Sequence, residues 1–293
     1  MPFRILTHSA SSPLGKFEVT LNKAERSGSP RVYRRVNIVI LNLALGLRIS
    51  IIMLKIGHRG AKAYAPENTI ASFRKALELD VDMVEFDVRI TKDKYPVVIH
   101  DNQLARLAKK FRRVSNLTLE EVKEVKIKKT ENIPTLAEVL EVIDNRIGLN
   151  IDLKVKGSAQ IVVQTLRDYK VDFRTVMISS NHPSEIRLVE KIEPRITTAL
   201  VFRATNVFNI WFVLDFLAIL FLPLTKYYIS WVVKNAHAVY LNINHHFLSK
   251  EKVNLFHRRG IKICAWTVDS PKKISYLKNL GIDGIITNYP DRL

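Results

Sequence analysis

At 293 residues, 47% of them hydrophobic and 25% charged, the chain is long enough for one large α/β domain and too apolar for extended disorder. Its one cysteine, Cys264, excludes an internal disulfide framework and fits a reducing, cytoplasmic compartment, and no Cys/His cluster has zinc spacing. The net charge of +18 favours partners with negative charge, and residues 1–52 carry eight Lys/Arg against two Asp/Glu, so most of the excess is spread over the rest of the chain.

Residues 1–35 are rich in Ser, Pro and Arg and show no sustained period, which is the pattern of a poorly ordered leader. "VNIVILNLALGLRISIIML" (36–54) is apolar, but Asn37, Asn42, Arg48 and Ser50 interrupt it, whereas a membrane span needs about 20 mostly apolar residues. Met53 stands just before the point where a compact domain begins. We therefore expect a leader over 1–52, arising from a misplaced start of translation, and a folded domain over 53–293. A genuine leader would instead read as a basic-flanked membrane anchor.

From Met53 onward, β-rich runs alternate with helical ones, the sign of βα units and a parallel sheet. The strands expected are "MLKIGH", "DMVEFDVRI", "GLNIDLK", "TVMISS", "TTALVF", "AVYLNI", "KICAWTV" and "DGIITN". "PVVIH" (96–100) forms a return strand after the second. Helices fit between them; the first, "NTIASFRKALEL", opens on Asn68 as an N-cap, and the last two end at Gly260 and Gly281. Eight such units make a (β/α)8 TIM barrel with a β-hairpin return strand after strand 2, and its site belongs at the C-terminal ends of the strands. A doubly wound sheet fits less well, since no Gly-rich phosphate loop follows the first strand.

The barrel gives the polar residues at strand ends a meaning. Strand residues alternate between faces, so Glu85 and Asp87 point the same way, as do Asp152 and Lys154. Two buried carboxylates side by side need a cation between them, and oxygen ligands suit Mg2+ or Ca2+. Pairing about the turn "KDKY" (92–95) sets His100 across from Asp87. His58 and Arg59 end the first strand, and Trp266 ends the seventh. Three carboxylates around a divalent cation leave about one negative charge, and Arg59 with Lys154 then suit a phosphodiester monoanion. His58 and His100 are the candidates for acid and base near neutral pH. Asp101 reads as a turn cap or as the residue that orients His100, and Glu67 has no role that the sequence reveals.

"HRG" (58–60), "PENT" (66–69), "EFDV" (85–88), "PVVIHD" (96–101), "LNIDLK" (149–154) and "WTVD…GIDGIITNYP" occur in order, and together they resemble the glycerophosphodiester phosphodiesterase family. The resemblance covers about Lys55 to the C-terminus. It implies a (β/α)8 barrel in which a divalent cation assists hydrolysis of glycerophosphodiesters to glycerol 3-phosphate and an alcohol. It also implies Glu85, Asp87 and Asp152 as metal ligands, His58 and His100 as the acid/base pair, Arg59 and Lys154 as phosphate contacts, and Trp266 as a wall for the glycerol or alcohol. Asp152 departs from the family's usual glutamate and is one methylene shorter.

"VFNIWFVLDFLAILFLPL" (207–224) and "YYISWVV" (227–233) lie between strands five and six. A membrane span there would separate the last three strands from the first five, which barrel closure forbids. The segment reads either as an outer helix or as an apolar lip making peripheral membrane contact through 207–233, the second implying lysophospholipase D action on lysophospholipids. A non-enzymatic basic protein that binds nucleic acid or membrane is the remaining class. The carboxylates sit where a polyanion would dock and no nucleic-acid-binding signature is present, so a small phosphodiester is the expected partner and no nucleic acid is.

Overall fold

In the computed structural model, the described residues are 38–43, 46–51, 53–128, 130–202 and 222–293. The chain divides into two units, 1–53 and 54–293. In the first, Ile38–Leu43 and Gly46–Ile51 pair antiparallel. The stretch weighed as an anchor thus contains strands, in keeping with its Ile and Val content. The leader expected over 1–35 lies outside the described residues. No helix among those described is long and apolar enough to cross a membrane.

The second unit is built on eight parallel strands: β1 (Leu54–His58), β2 (Met83–Ile90), β3 (Gly148–Leu153), β4 (Val176–Ser180), β5 (Thr197–Phe202), β6 (Tyr240–Asn244), β7 (Lys262–Trp266) and β8 (Gly284–Thr287). Each pairs with its sequence neighbour, and β8 pairs back onto β1, so the sheet closes into the expected barrel. Both faces of such strands are covered, which explains their nearly continuous apolar runs. Inside the barrel, Ile56, Met83, Met177, Ala199, Tyr240, Cys264 and Ile286 form one apolar cluster. Cys264 is buried in it, as a structural cysteine should be. The cluster seals the barrel, so polar side chains on the same strands gather nearer the C-terminal ends.

Helices return the chain between strands, among them Ile70–Glu78, Leu136–Ile143, Ala159–Asp168, Pro183–Ile192 and Leu222–Asn235. Thr135 and Glu138 close a capping box on the second of these. Gly281 ends the last helix in the left-handed conformation, φ 76°. The first helix corrects the sequence reading. Thr69, not Asn68, is its N-cap, and the Thr69 side chain accepts from Ser72 N. Asn68 sits one residue earlier at φ 58°, which frees its side chain for another task.

The return strand Pro96–Val98 lies antiparallel on β2, but its register differs by one residue from expectation. Val88 faces Val98, and Ile99 N donates to Asp87 O at 2.9 Å, so Asp87 is opposite Ile99 and His100 lies one step beyond. The turn itself has three residues, 92–94, rather than the four of "KDKY". It is closed by Thr91 N donating to Tyr95 O and turned by Lys94 at φ 72°. Loop length fixes hairpin register, so the shorter turn moves the pairing by one residue. Between His100 and Pro134, where the sequence suggested no elements, the short helices Ala105–Ala108 and Leu119–Lys123 fold over their own core, which includes Ile99, Leu104, Val114 and Ile127. Residues 207–221 of the apolar insertion lie outside the described residues; the helix Leu222–Asn235 follows them.

Candidate active site

A cavity of about 430 Å³ opens at the C-terminal ends of the barrel strands. All eight residues singled out in the sequence line it: His58, Arg59, Glu85, Asp87, His100, Asp152, Lys154 and Trp266. Strand register explains the convergence. His58 on β1 is level with Glu85 on β2, and Asp87 on β2 is level with Asp152 on β3. Another cavity at the opposite strand ends is lined by Arg167, Lys170, Arg174 and Arg195 among others. There Arg174 pairs with Asp172 and Arg195 with Glu193, and the lining holds no histidine and a single carboxylate, Asp172.

Glu85, Asp87 and Asp152 are all buried, and one oxygen from each lies within 4.8 Å of the others. Such a set of hard oxygen donors can hold a metal ion. The shorter side chain at position 152 still reaches the cluster. Its charge balance fits a cation. Burial, with the neighbouring charge of Asp87, pushes Glu85 up to about 8. Burial also opposes ionisation of Asp87, but Lys154 and Arg59 outweigh it and hold that carboxyl well below its usual range. Asp87 Oδ1 is paired with Lys154 Nζ at 2.7 Å. Two cations, Lys154 and Arg59, thus face three buried carboxylates. Lys154, buried itself, bridges Asp87 and Asp152, so it holds two carboxylates at the edge of the cavity.

The loop after β1 supplies more contacts. Arg59 N donates to Glu85 Oε2 at 2.9 Å, and Arg59 Nε lies 3.2 Å from Asp87 Oδ2. Arg59 has φ 51° and Gly60 φ 85°. A Cβ on Gly60 would stand 2.2 Å from Ser72 Oγ, so glycine is required where this loop meets the first helix. Asn68 is fully buried and its Nδ2 donates to Asp87 Oδ2 at 2.8 Å. Glu67, also buried, accepts from Arg59 at 2.7 Å and Arg106 at 2.6 Å and pairs with Lys62 at 3.0 Å. Together these cations hold Glu67 well below the usual carboxylate range despite burial.

The two histidines have different partners. His58 Nδ1 lies 2.7 Å from Asn288 Oδ1, and Asn288 Nδ2 donates to Asp269 at 2.6 Å. The amide thus presents its oxygen to His58, which fixes the proton on Nδ1 and leaves Nε2 as an acceptor. Burial and Arg59 lower His58 to about 4, so it is neutral near pH 7. His100 Nδ1 lies 2.6 Å from Asp101 Oδ1, and Arg106 holds the other Asp101 oxygen. Burial lowers His100 as well, against the opposing pull of Asp87 and Asp101. Asp101 therefore orients His100, one of the two readings its position allowed. Glu67, Asn68, Arg106, Asn288 and Asp269 were not assigned to the site from sequence. "PENT" contains Glu67 and Asn68, the second read there as a helix cap, and "WTVD…GIDGIITNYP" contains Asp269 and Asn288 without a role for either; Arg106 lies in none of the motifs.

Comparison with known proteins agrees with this arrangement. The model of the glycerophosphoryl diester phosphodiesterase family matches residues 58–292, which include every residue of the site named above. A glycerophosphodiester phosphodiesterase of Caldanaerobacter subterraneus is 33% identical over 253 residues, covering 82% of this chain and 96% of the relative. Among solved structures, an Oleispira antarctica phosphodiesterase in complex with the product sn-glycerol-3-phosphate has a TM-score of 0.68 and 25% identity, covering 81% of this chain and 93% of that one. A glycerophosphodiester phosphodiesterase from Thermotoga maritima has a TM-score of 0.65 and 26% identity, covering 82% of this chain and 96% of its own.

Proposed function

We propose a reaction for this chain from one fact, that it belongs to the glycerophosphoryl diester phosphodiesterase family, whose members are phosphoric diester hydrolases. It hydrolyses glycerophosphodiesters to glycerol 3-phosphate and an alcohol. The observation that carries this reading is the convergence of three carboxylates, two histidines, Arg59 and Lys154 on one cavity. Glu85, Asp87 and Asp152 are the metal ligands, and all-oxygen coordination favours Mg2+ or Ca2+. The bound cation supplies charge neutralisation at the phosphoryl oxygens.

The chain's own residues divide the remaining work. Arg59 and Lys154 hold the phosphodiester anion at the carboxylate cluster. His58 is the base: it is neutral, its Nδ1 proton is committed to Asn288, and Nε2 takes the proton of the attacking oxygen. His100 is the acid, because only its Nδ1 faces a carboxylate that stabilises the imidazolium. It gives its Nε2 proton to the departing alcohol as the P–O bond breaks. The attacking oxygen is that of water, or the neighbouring glycerol hydroxyl with a cyclic phosphate formed first.

Phosphorus NMR of glycerophosphocholine turnover tests this directly. Glycerol 3-phosphate should accumulate, with or without a transient cyclic resonance, and a diester left intact would overturn the reading. An analogue lacking the neighbouring hydroxyl then separates the two nucleophiles. Undiminished turnover would exclude the cyclic route.

A second reading, lysophospholipase D action at a membrane surface, draws support from the helix Leu222–Asn235. Trp231 is 63% exposed and stacks with the exposed Tyr228, while Tyr227 lies beneath Lys226 and Arg259. Exposed Trp and Tyr flanked by cations suit an anionic lipid headgroup layer. Release of choline from lysophosphatidylcholine in anionic vesicles, lost in Trp231→Ser, would favour it, whereas equal turnover of both proteins would remove it.

A further inference from the structure

Outside the cavity, Phe111 is 92% exposed, well beyond any other large apolar or aromatic side chain among the described residues; Trp231 follows at 63%. Apolar residues scattered singly over a surface are ordinary. Phe111 differs in how it is held and in what surrounds it.

The ring stands at the tip of a loop whose base is fixed. The helix Ala105–Ala108 stops at Lys109, which turns the chain at φ 54°. The chain then returns beside its own start: Leu104 N donates to Arg112 O at 3.0 Å, and Val114 N to Asn102 O at 2.8 Å. Leu104, Leu107 and Val114 root both arms in the small core of this insertion. At the tip, 109–113, every residue is exposed. A closed loop with a buried base thus projects one phenyl ring outward. Arg106, on the same short helix, grips Glu67 and Asp101, so the projection belongs to the catalytic side of the barrel.

Cations flank the ring on both sides: Lys109, Lys110, Arg112 and Arg113. Arg112 pairs with Glu121, whereas Lys109, Lys110 and Arg113 have no carboxylate partner among the described residues. Lys128, also exposed, adjoins the same helix, its N–H donating to Leu107 O at 3.3 Å. One apolar ring amid cations is too small for the core of a protein–protein interface, which takes a contiguous desolvated patch. Single-stranded nucleic acid is held on successive aromatic platforms, and this tip has one. An anionic bilayer satisfies both halves of the chemistry. The ring enters the acyl boundary while lysine and arginine stay among the headgroups. Unlike Tyr or Trp, phenylalanine has no polar atom to keep in water.

We propose that the tip 109–113 docks on an anionic lipid bilayer, with Phe111 as the inserted anchor. Docking there turns the catalytic side of the barrel toward the membrane. The assignment stands whether or not the hydrolysis above does.

The test sediments the full chain, without substrate, with vesicles of equal parts phosphatidylcholine and phosphatidylserine and with vesicles of phosphatidylcholine alone. Binding should require the anionic lipid and weaken as salt rises. Phe111→Ser should lower partitioning roughly tenfold, and Lys109→Gln combined with Lys110→Gln by a similar factor. These positions are exposed, so the unfolding transition should stay in place and loss of binding is not loss of fold. An environment-sensitive fluorophore on Phe111→Cys, with Cys264 buried, should shift to the blue when the anionic vesicles are added. No vesicle binding by the native chain, equal binding by Phe111→Ser, or a fluorophore that does not shift would each overturn the proposal. Binding of a single-stranded oligonucleotide but not of vesicles would also overturn it and give the tip to nucleic acid. With no substrate present, none of these outcomes bears on the hydrolysis.

Discussion

His100 Nδ1 lies 2.6 Å from a carboxylate oxygen of Asp101, the residue that follows it in the chain, and Arg106 grips the other oxygen. The carboxylate favours the imidazolium that a general acid needs, while burial disfavours it. Asp101→Asn removes the favourable charge and lowers the His100 pKa further. Activity that requires protonated His100 is lost as pH rises through that pKa, so the alkaline limb of the kcat/KM profile should move to lower pH. A profile that keeps its alkaline limb while rate falls uniformly would show that Asp101 does not act through His100.

Loss of a ligand and loss of the acid should be separable. Glu85→Gln should weaken binding of Mg2+ or Ca2+ in calorimetric titration and also lower the rate, since one of the three buried carboxylates proposed as ligands loses its charge. His100→Ala should lower the rate by roughly 10²–10⁴-fold with cation affinity intact. Equal cation affinity in native enzyme and Glu85→Gln would contradict the ligand assignment.

Glu67 is a buried carboxylate shared by Arg59, Lys62 and Arg106. Replacing it with Gln leaves these cations to find other partners, at a cost of about 1–3 kcal/mol in denaturant unfolding. Arg59 would also lose its anchor at the cavity edge, so KM should rise along with the loss of stability. An unchanged unfolding midpoint and KM would mean that the cations are held adequately without it.

The chain reveals its barrel because each strand, covered on both faces, is a short apolar run bounded by turn and cap residues, and alternation along β2 and β3 already aligns Glu85 with Asp87 and Asp152 with Lys154. What stays hidden is long-range or nearly degenerate. Asn288 meets His58 across 230 positions, and Arg106 meets Glu67 across 39. Neighbouring Asn68 and Thr69 are both good caps by residue type, and only the left-handed backbone at Asn68 assigns the cap to Thr69 and turns Asn68 toward Asp87. A difference of one residue in the turn decides whether His100 or Ile99 faces Asp87.

Away from the cavity, His257 Nε2 lies 2.8 Å from Asp283 Oδ2, which also accepts from Ile263 N at 2.8 Å. The hydrogen bond to Asp283 raises the His257 pKa above its unfolded value near 6.5. The resulting stabilisation is fully present below about 6.5 and disappears as pH rises through the folded pKa. Native protein should therefore exceed His257→Gln in unfolding free energy at pH 6 by more than at pH 9. A gap independent of pH would mean that the pair contributes through packing alone.

The most direct measurement is glycerol 3-phosphate release from glycerophosphocholine by enzyme stripped with EDTA and then supplied with Mg2+ or Ca2+. The account predicts negligible release after stripping, recovery with the added cation, and little recovery in Glu85→Gln at the same cation concentration. Full activity in EDTA, or no release with either cation, would contradict it.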